Sequence, residues 1–203
     1  DFVKDTTHEL NTPITALMMS TSRAKSKQVY DDKIMKNISI STKQLYDIYS
    51  SLSFLSFDRS AEKAVDLEFV EVVEESINYF DELLDKKHIE LEFASSTCRL
   101  NIAPTKAKML INNLLSNSIK YSLPNSKIYL HVDKHSLMIK DEGIGIAKNK
   151  LDNIFQRFTR ANSYAGGFGV GLSIVKQICD EFKIDIQVHS VVEKGSCFTL
   201  TWA

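Results

Sequence analysis

A histidine followed at once by a glutamate and, one helical turn later, by a threonine gathers a nucleophile, a carboxylate and a hydroxyl on one short stretch of chain. Residues 7–13 read Thr7-His8-Glu9-Leu10-Asn11-Thr12-Pro13. A neutral imidazole is a competent nucleophile near neutral pH. On a helix, Thr12 shares the face of His8. Glu9 does not, and must reach around to orient or deprotonate the ring. Pro13 has no N–H for the carbonyl of Glu9, so a bend is expected beside the nucleophile. An isolated helical histidine can also be a satisfied core side chain, so the choice rests on what lies downstream. His88, His131, His135 and His189 lack any such setting and read as structural or solvated.

Four further clusters follow in order. Asn113-Leu-Leu-Ser-Asn117-Ser-Ile-Lys120-Tyr121 reads as helix, with its two carboxamides one turn apart on a flank shared with Lys120 and Tyr121. Carboxamide oxygens suit a hard cation such as Mg2+, although such a pair can also only solvate a helix. Asp141-Glu-Gly143-Ile-Gly145 comes straight after a strand. A carboxylate there can accept from an amino group on a base, and the glycines permit close approach; the same pattern also makes an ordinary turn. Phe155-Gln-Arg157-Phe158 with Arg160 offers two aromatic anchors and two guanidiniums, or a surface helix with an apolar foot. Gly167-Phe-Gly169-Val-Gly171-Leu172 opens a helix whose first amides are suited to phosphate oxygens. Each cluster is weak alone; their order and spacing together are strong.

The elements that must position these groups fall into two parts. Residues 1–58 read as two helices joined by a polar connection near Lys25–Asp32. Leu10, Ile14, Leu17 and Thr21 keep a 4-3 spacing, as do Ile34, Ile38, Leu45, Ile48, Leu52 and Leu55 with Ser41 in the missing step. That 3.5-residue repeat predicts an antiparallel hairpin. Two such helices cannot enclose a core, so a homodimeric four-helix bundle is expected. Residues 59–65 read as a linker. Residues 66–203 mix strands near Asp66–Val70, Ile89–Phe93, Arg99–Ile102, Lys127–Val132, Leu137–Lys140, Ile184–Ser190 and Cys197–Trp202 with helices near Val72–Lys86, Thr105–Tyr121 and Gly171–Phe182. Strict alternation is missing, so an α+β sandwich is predicted, with helices on one sheet.

Composition narrows the classes. A net charge of -1 and a pI near 6.6 give no footprint for nucleic acid or an anionic membrane surface. Three scattered cysteines, Cys98, Cys179 and Cys197, argue for a reducing compartment and against a disulfide frame or zinc site. No apolar run reaches the length of a membrane span, so no membrane contact is expected within these residues. Six of the seven glycines lie between Gly143 and Gly171, concentrating irregular backbone in one stretch.

The four downstream clusters resemble the N, G1, F and G2 boxes of the histidine-kinase ATPase domain, the Bergerat fold shared with gyrase and a heat-shock chaperone. Thr7–Pro13 resembles the H box, usually H-E-L-R-T-P, with Asn11 in place of arginine. The resemblance runs from His8 to Trp202 and implies the core of a bacterial two-component sensor histidine kinase. By it, His8 accepts phosphate, Glu9 is the base, Asn117 ligates Mg2+ and Asn113 supports it. Lys120 approaches the phosphates, Tyr121 borders adenine and Asp141 recognises its amine. Gly143, Gly145, Gly167, Gly169, Gly171 and Leu172 shape the pocket, while a mobile lid of about Ile146–Gly169 brings Arg157 near the terminal phosphate and adds Arg160 to the nucleotide site.

The implied activity is ATP- and Mg2+-dependent autophosphorylation of His8, then transfer to an aspartate of a response regulator. Glu9-Leu-Asn-Thr12 also resembles the E-x-x-T signature of members that dephosphorylate their regulator. Two other readings stand beside it: an ATP hydrolase or chaperone-like machine on the same fold, and a non-catalytic dimerisation scaffold. The first would turn ATP over without phosphohistidine; the second conflicts with the presence of Asn117, Asp141 and the last glycine cluster. The resemblance places these residues on the cytoplasmic side, with the whole protein held in the inner membrane by an N-terminal segment outside this sequence.

Overall fold

The computed structural model describes residues 2–27, 31–57, 62–159 and 169–203. They form two compact units that divide near residue 60.

The first unit consists of α1 (Phe2–Lys27) and α2 (Asp32–Phe57), which pack on each other. The Asp31 carboxylate begins α2 by accepting from the Ile34 amide at 2.7 Å, satisfying one of the unpaired donors of its first turn. Within one chain the α1 contact falls partly on the expected seam and partly beside it. Pro13, Ser20 and Ala24 are buried and Leu10 and Leu17 half-buried, whereas Ile14 is 39% exposed. Thr21 is exposed and turns its hydroxyl back to the carbonyls of Leu17 and Met18. Small side chains suit a close helix–helix contact, and Ser20 and Ala24 supply them where the repeat placed Thr21. In α2, Ile34, Ser41 and Phe54 are buried, together with Ile40, which lies off the expected seam; Ile38, Leu45 and Ile48 are half-buried. The side chains of Leu52 and Leu55 lie outside the described residues, as do those of residues 1–9.

The second unit contains β1 (Val65–Glu68), α3 (Phe69–Lys87), β2 (Glu90–Ser95), β3 (Arg99–Ile102), α4 (Pro104–Tyr121), β4 (Lys127–Asp133), β5 (Ser136–Asp141), α5 (Lys148–Leu151), α6 (Gly171–Phe182), β6 (Asp185–Val191) and β7 (Gly195–Thr201). It is an α+β architecture with a five-stranded sheet in the order β2-β4-β5-β7-β6 and a separate β1-β3 ribbon. Only β2 and β4 run parallel, because β3 and α4 lie between them in the chain and supply the crossover. The inner face of β4 carries Ile128, Leu130 and Val132, all buried, while Tyr129 and His131 alternate to the other side. These meet a helical layer in which α4 touches α3, α6 and β5. Leu110, Ile111, Leu114, Leu115 and Ile119 make α4 the centre of the core.

Three of the boundaries that differ from expectation have a visible cause. Val70 lies in α3 because Phe69 already starts the helix, fully buried, with its amide on Cys98 O at 2.8 Å. Ile184 precedes β6: Lys183 adopts the left-handed conformation that ends α6, and the Ile184 amide returns to Cys179 O. Trp202 follows β7, its amide on His135 O and its ring edge-on to Phe69. The short α5 has too few residues for a periodic signal.

Candidate functional site

The site grows from the C-terminal end of α4. Pro104 sits in the first turn of that helix, where its missing N–H costs nothing. The inner face is mainly aliphatic, with Lys106 and Ser118 also buried on the helix, and Asn113, Asn117, Lys120 and Tyr121 fall on a half-buried flank. Asn113 gives its Nδ2 to Met109 O at 2.8 Å, which fixes Oδ1 as the outward acceptor. Against this flank lies the start of α6. A Cβ on Gly171 would stand 2.7 Å from Asn113 Oδ1 and 3.8 Å from Asn117 Nδ2. Both carboxamides, Asn113 the nearer, are therefore neighbours of Gly171 through an absence of side chain.

Among the described residues no side chain caps α6. Its opening amides are donors aimed out of the helix N-terminus, the place where a phosphate is best received. Gly169 accepts from the Phe158 amide at 2.8 Å, tying the aromatic cluster to this turn. Leu172 is half-buried beside Gly171. Lys106, itself buried, pairs with Glu181 at 2.7 Å and ties α4 to α6 at the other end.

Asp141 ends β5 and is 3% exposed. The amides of Gly143 (2.9 Å) and Ser196 (3.2 Å) both donate to its Oδ1, which leaves Oδ2 to accept from a ligand. Burial pushes the carboxyl up to about 6, against the opposing pull of those two amides. Gly143 is pressed on α4: a Cβ there would lie 2.4 Å from Tyr121 O. Tyr121 O also accepts from the Ile144 amide, and Ser122 pairs with Gly143 in an isolated bridge. The buried hydroxyl of Ser122 finds no partner among the described residues, a polar position that a ligand or water can satisfy. Gly145 stands at φ +66, in the left-handed region, and a Cβ there would strike Val191 O. Lys120 places its ammonium 5.2 Å from the Tyr121 ring centroid.

Some expected residues are not brought together. Arg157 is exposed and donates to Gln177 Oε1 at 3.2 Å, alongside the second turn of α6 rather than at Gly171. Phe158 is 49% exposed and Phe155 half-buried, and the apolar anchor of this stretch is Ile154 at 5%. Arg160 and Gly167 lie outside the described residues. His8 and Glu9 have their backbone in α1, and their side chains lie outside the described residues; Thr12 is exposed on that helix.

Sequence reasoning missed the buttress behind Asp141. Gly195 has φ +97, and a Cβ there would be 1.9 Å from Asp141 O, so only glycine fits. Ser190 Oγ accepts from the Ile146 amide (2.8 Å) and donates to Gly195 O (2.9 Å), pinning the glycine loop to the β6–β7 turn. A lone glycine between two predicted strands was the available signal.

A buried strand-end carboxylate, a glycine loop on a helix carrying two carboxamides, and an uncapped glycine-opened helix define a nucleotide-binding α+β domain. A family model described as "Histidine kinase-, DNA gyrase B-, and HSP90-like ATPase" matches residues 102–203, half of the chain. The chain belongs to that family. Among curated relatives, the sensor protein kinase WalK of Staphylococcus haemolyticus is 30% identical over 99% of this chain and 36% of its own length. The sensor histidine kinase YkoH of Bacillus subtilis is 30% identical over all of this chain and 47% of its own. The chain thus spans less than half the length of these relatives. Histidine kinase ThkA, solved in complex with the response regulator protein TrrA, shares the fold over 96% of this chain and 58% of its own, with a TM-score of 0.62 and 22% identity.

The donor set fits a nucleotide with its metal. Asn113 and Asn117 offer carboxamides beside the cradle that a Gly171 Cβ would fill. Among the described residues no group of three His, Cys, Asp or Glu side chains gathers for a metal. A cation here would share the carboxamides with phosphate oxygens and water, the usual surroundings of Mg2+. Gly171→Ala should therefore cost little stability, since the Asn113 side chain can swing aside, yet weaken Mg2+-ATP binding about 10-fold by displacing that oxygen. Thermal unfolding and titration calorimetry on the same preparation separate the two effects. Unchanged affinity would remove Asn113 from the site.

Proposed function

We propose that this chain is the catalytic core of a sensor histidine kinase, which uses Mg2+-ATP to phosphorylate His8 and passes the phosphoryl group to an aspartate of a response regulator. The observation that carries this reading is the convergence of Asp141 and Gly143 with the Asn113–Asn117 flank of α4 and with Gly171 of α6. Asp141 Oδ2 accepts from the adenine amine while Tyr121 borders the ring. The phosphates extend along α4 toward the α6 N-terminus, with Asn117 and Asn113 holding Mg2+ and Lys120 nearby. Bound Mg2+ supplies charge neutralisation for the transferring phosphoryl group. The residues supply position, which is most of what such a transfer needs.

At His8, a ring nitrogen forms a bond to the γ-phosphorus as the bond to the bridging oxygen breaks, leaving ADP. Glu9 orients the ring and takes its proton. The hairpin works as a homodimer: Ile14, Met18, Met19, Met35, Tyr46 and Tyr49 leave an apolar face exposed that a second copy covers. Residues 1–58 form the phosphotransfer part and 66–203 the ATP-binding part, on the cytoplasmic side of a membrane-held sensor. No helix among the described residues is long and apolar enough to cross a membrane.

Incubation with γ-labelled ATP and Mg2+ tests the reading. Acid-labile, base-stable protein label is expected. Sustained phosphate release without protein label would favour the ATP-hydrolase alternative instead.

Thr12, exposed one turn after His8, extends the proposal to regulator dephosphorylation. Its hydroxyl would set a water in line with an aspartyl phosphate, acting by orientation. Thr12→Ala should keep autophosphorylation and slow decay of the phosphorylated regulator. Equal decay with both proteins would end that assignment.

A further inference from the structure

We infer that Lys87, at the end of α3, is a positioning residue for the base pocket, fixing the turn from which Tyr121 supports the Asp141–Gly143 loop; this rests on the nucleotide reading above. Lys87 is half-buried, and its ammonium donates to the carbonyls of Ile119 (2.7 Å), Lys120 (2.9 Å) and Ser122 (3.2 Å). An ammonium has three N–H groups, and all three are engaged. The acceptors are among the last carbonyls of α4 and its cap, which no intrahelical amide can satisfy. A cation there also meets the negative end of the helix dipole.

The skipped carbonyl matters most. Between Lys120 and Ser122, Tyr121 O points to the other side, where it accepts from the Ile144 amide at 3.2 Å and lies against Gly143. Successive carbonyls are therefore divided: 119, 120 and 122 go to Lys87, and 121 goes to the glycine loop. The backbone of Lys87 holds the same turn from its far side, accepting from the Asn125 amide at 3.2 Å. Ser122, released from the helix at ψ 146, is then free to bridge Gly143. Without the ammonium, three carbonyls must find water and the orientation of the fourth is no longer set. Asp141 Oδ1 depends on the Gly143 amide in that loop, so the disturbance reaches the base acceptor.

Lys87→Met keeps the aliphatic stem and removes the donors. Its ATP and ADP affinities should fall equally, roughly 10-fold, as expected for lost hydrogen bonds to a charged group. KM for autophosphorylation should rise while kcat is kept, because the phosphate end is untouched. Lys87→Arg should recover most of the affinity. Lys106→Met, which frees the opposite end of α4 from Glu181, provides the structural control: it should lower Tm without changing nucleotide affinity. If Lys87→Met does not fold, Lys87→Gln, which keeps two donors but no charge, takes its place with the same expectation. Wild-type affinity in either folded variant, whatever its Tm, overturns the assignment. Failure of the unaltered protein to bind ATP would instead overturn the nucleotide reading.

Discussion

His8→Gln protein should take up no label from γ-labelled ATP, while binding ATP as tightly as the unaltered chain. The side chain replaced belongs to the hairpin unit, whereas Asp141, Gly143, the Asn113–Asn117 flank and Gly171 belong to the second unit. Glutamine keeps size and polarity but has no nitrogen lone pair able to attack phosphorus. The loss is therefore one of chemistry and should be complete, with no change in the unfolding of either unit. Label at the normal rate would move the acceptor elsewhere; His88, His131, His135 and His189 would each then require the same substitution.

Asp141→Asn should separate binding from stability. The new Oδ1 can still accept from the amides of Gly143 and Ser196, so the loop stays in place. At the Oδ2 position, however, an NH2 now faces the amine of the base, donor against donor. Leaving that pair unsatisfied costs about 1–3 kcal/mol, roughly 5- to 150-fold in affinity. The free protein should be no less stable at neutral pH, because the substitution removes a buried charge.

The unaltered carboxyl gives a second readout. Its folded value, about 6, lies above the ordinary 3.8, so the folded state holds this proton more tightly than the unfolded one. The contribution of Asp141 to stability thus grows as pH falls through about 6 and is lost again as pH rises. ATP affinity moves the opposite way, since only the carboxylate accepts without donating, and it should weaken below about pH 6. Calorimetric titrations for affinity and thermal unfolding for stability, across that range and on both proteins, check these expectations. A pH-independent affinity in the unaltered chain would detach Asp141 from the base.

The sequence exposed those parts of the molecule in which spacing carries the physics. The expected bounds of α4 and α6 fall within a residue of those observed, and both are amphipathic helices with a buried face. Glycine clustering pointed to Gly143, where a Cβ would meet backbone, and to Gly171, where it would meet the Asn113 carboxamide. The long-range contacts were not legible. Nothing around Lys87 in the chain says that its ammonium will reach carbonyls more than 30 residues away. Nor does Ser196 announce an amide aimed at Asp141, 55 residues earlier. Within one chain α1 also buries Pro13, Ser20 and Ala24, positions that a search for a 4-3 repeat of larger side chains does not pick out. Arg157 shows the same limit: an arginine's type is visible in the sequence, but the partner its long side chain finds is not.

The most direct test of the central claim is mass spectrometry of the unaltered chain after incubation with Mg2+-ATP, kept at neutral to basic pH so that phosphohistidine survives. The account predicts a gain of one phosphoryl group, mapped by fragmentation to His8 in the peptide that spans α1. A phosphoryl group on any other residue, or consumption of ATP with no gain on the protein, would contradict it.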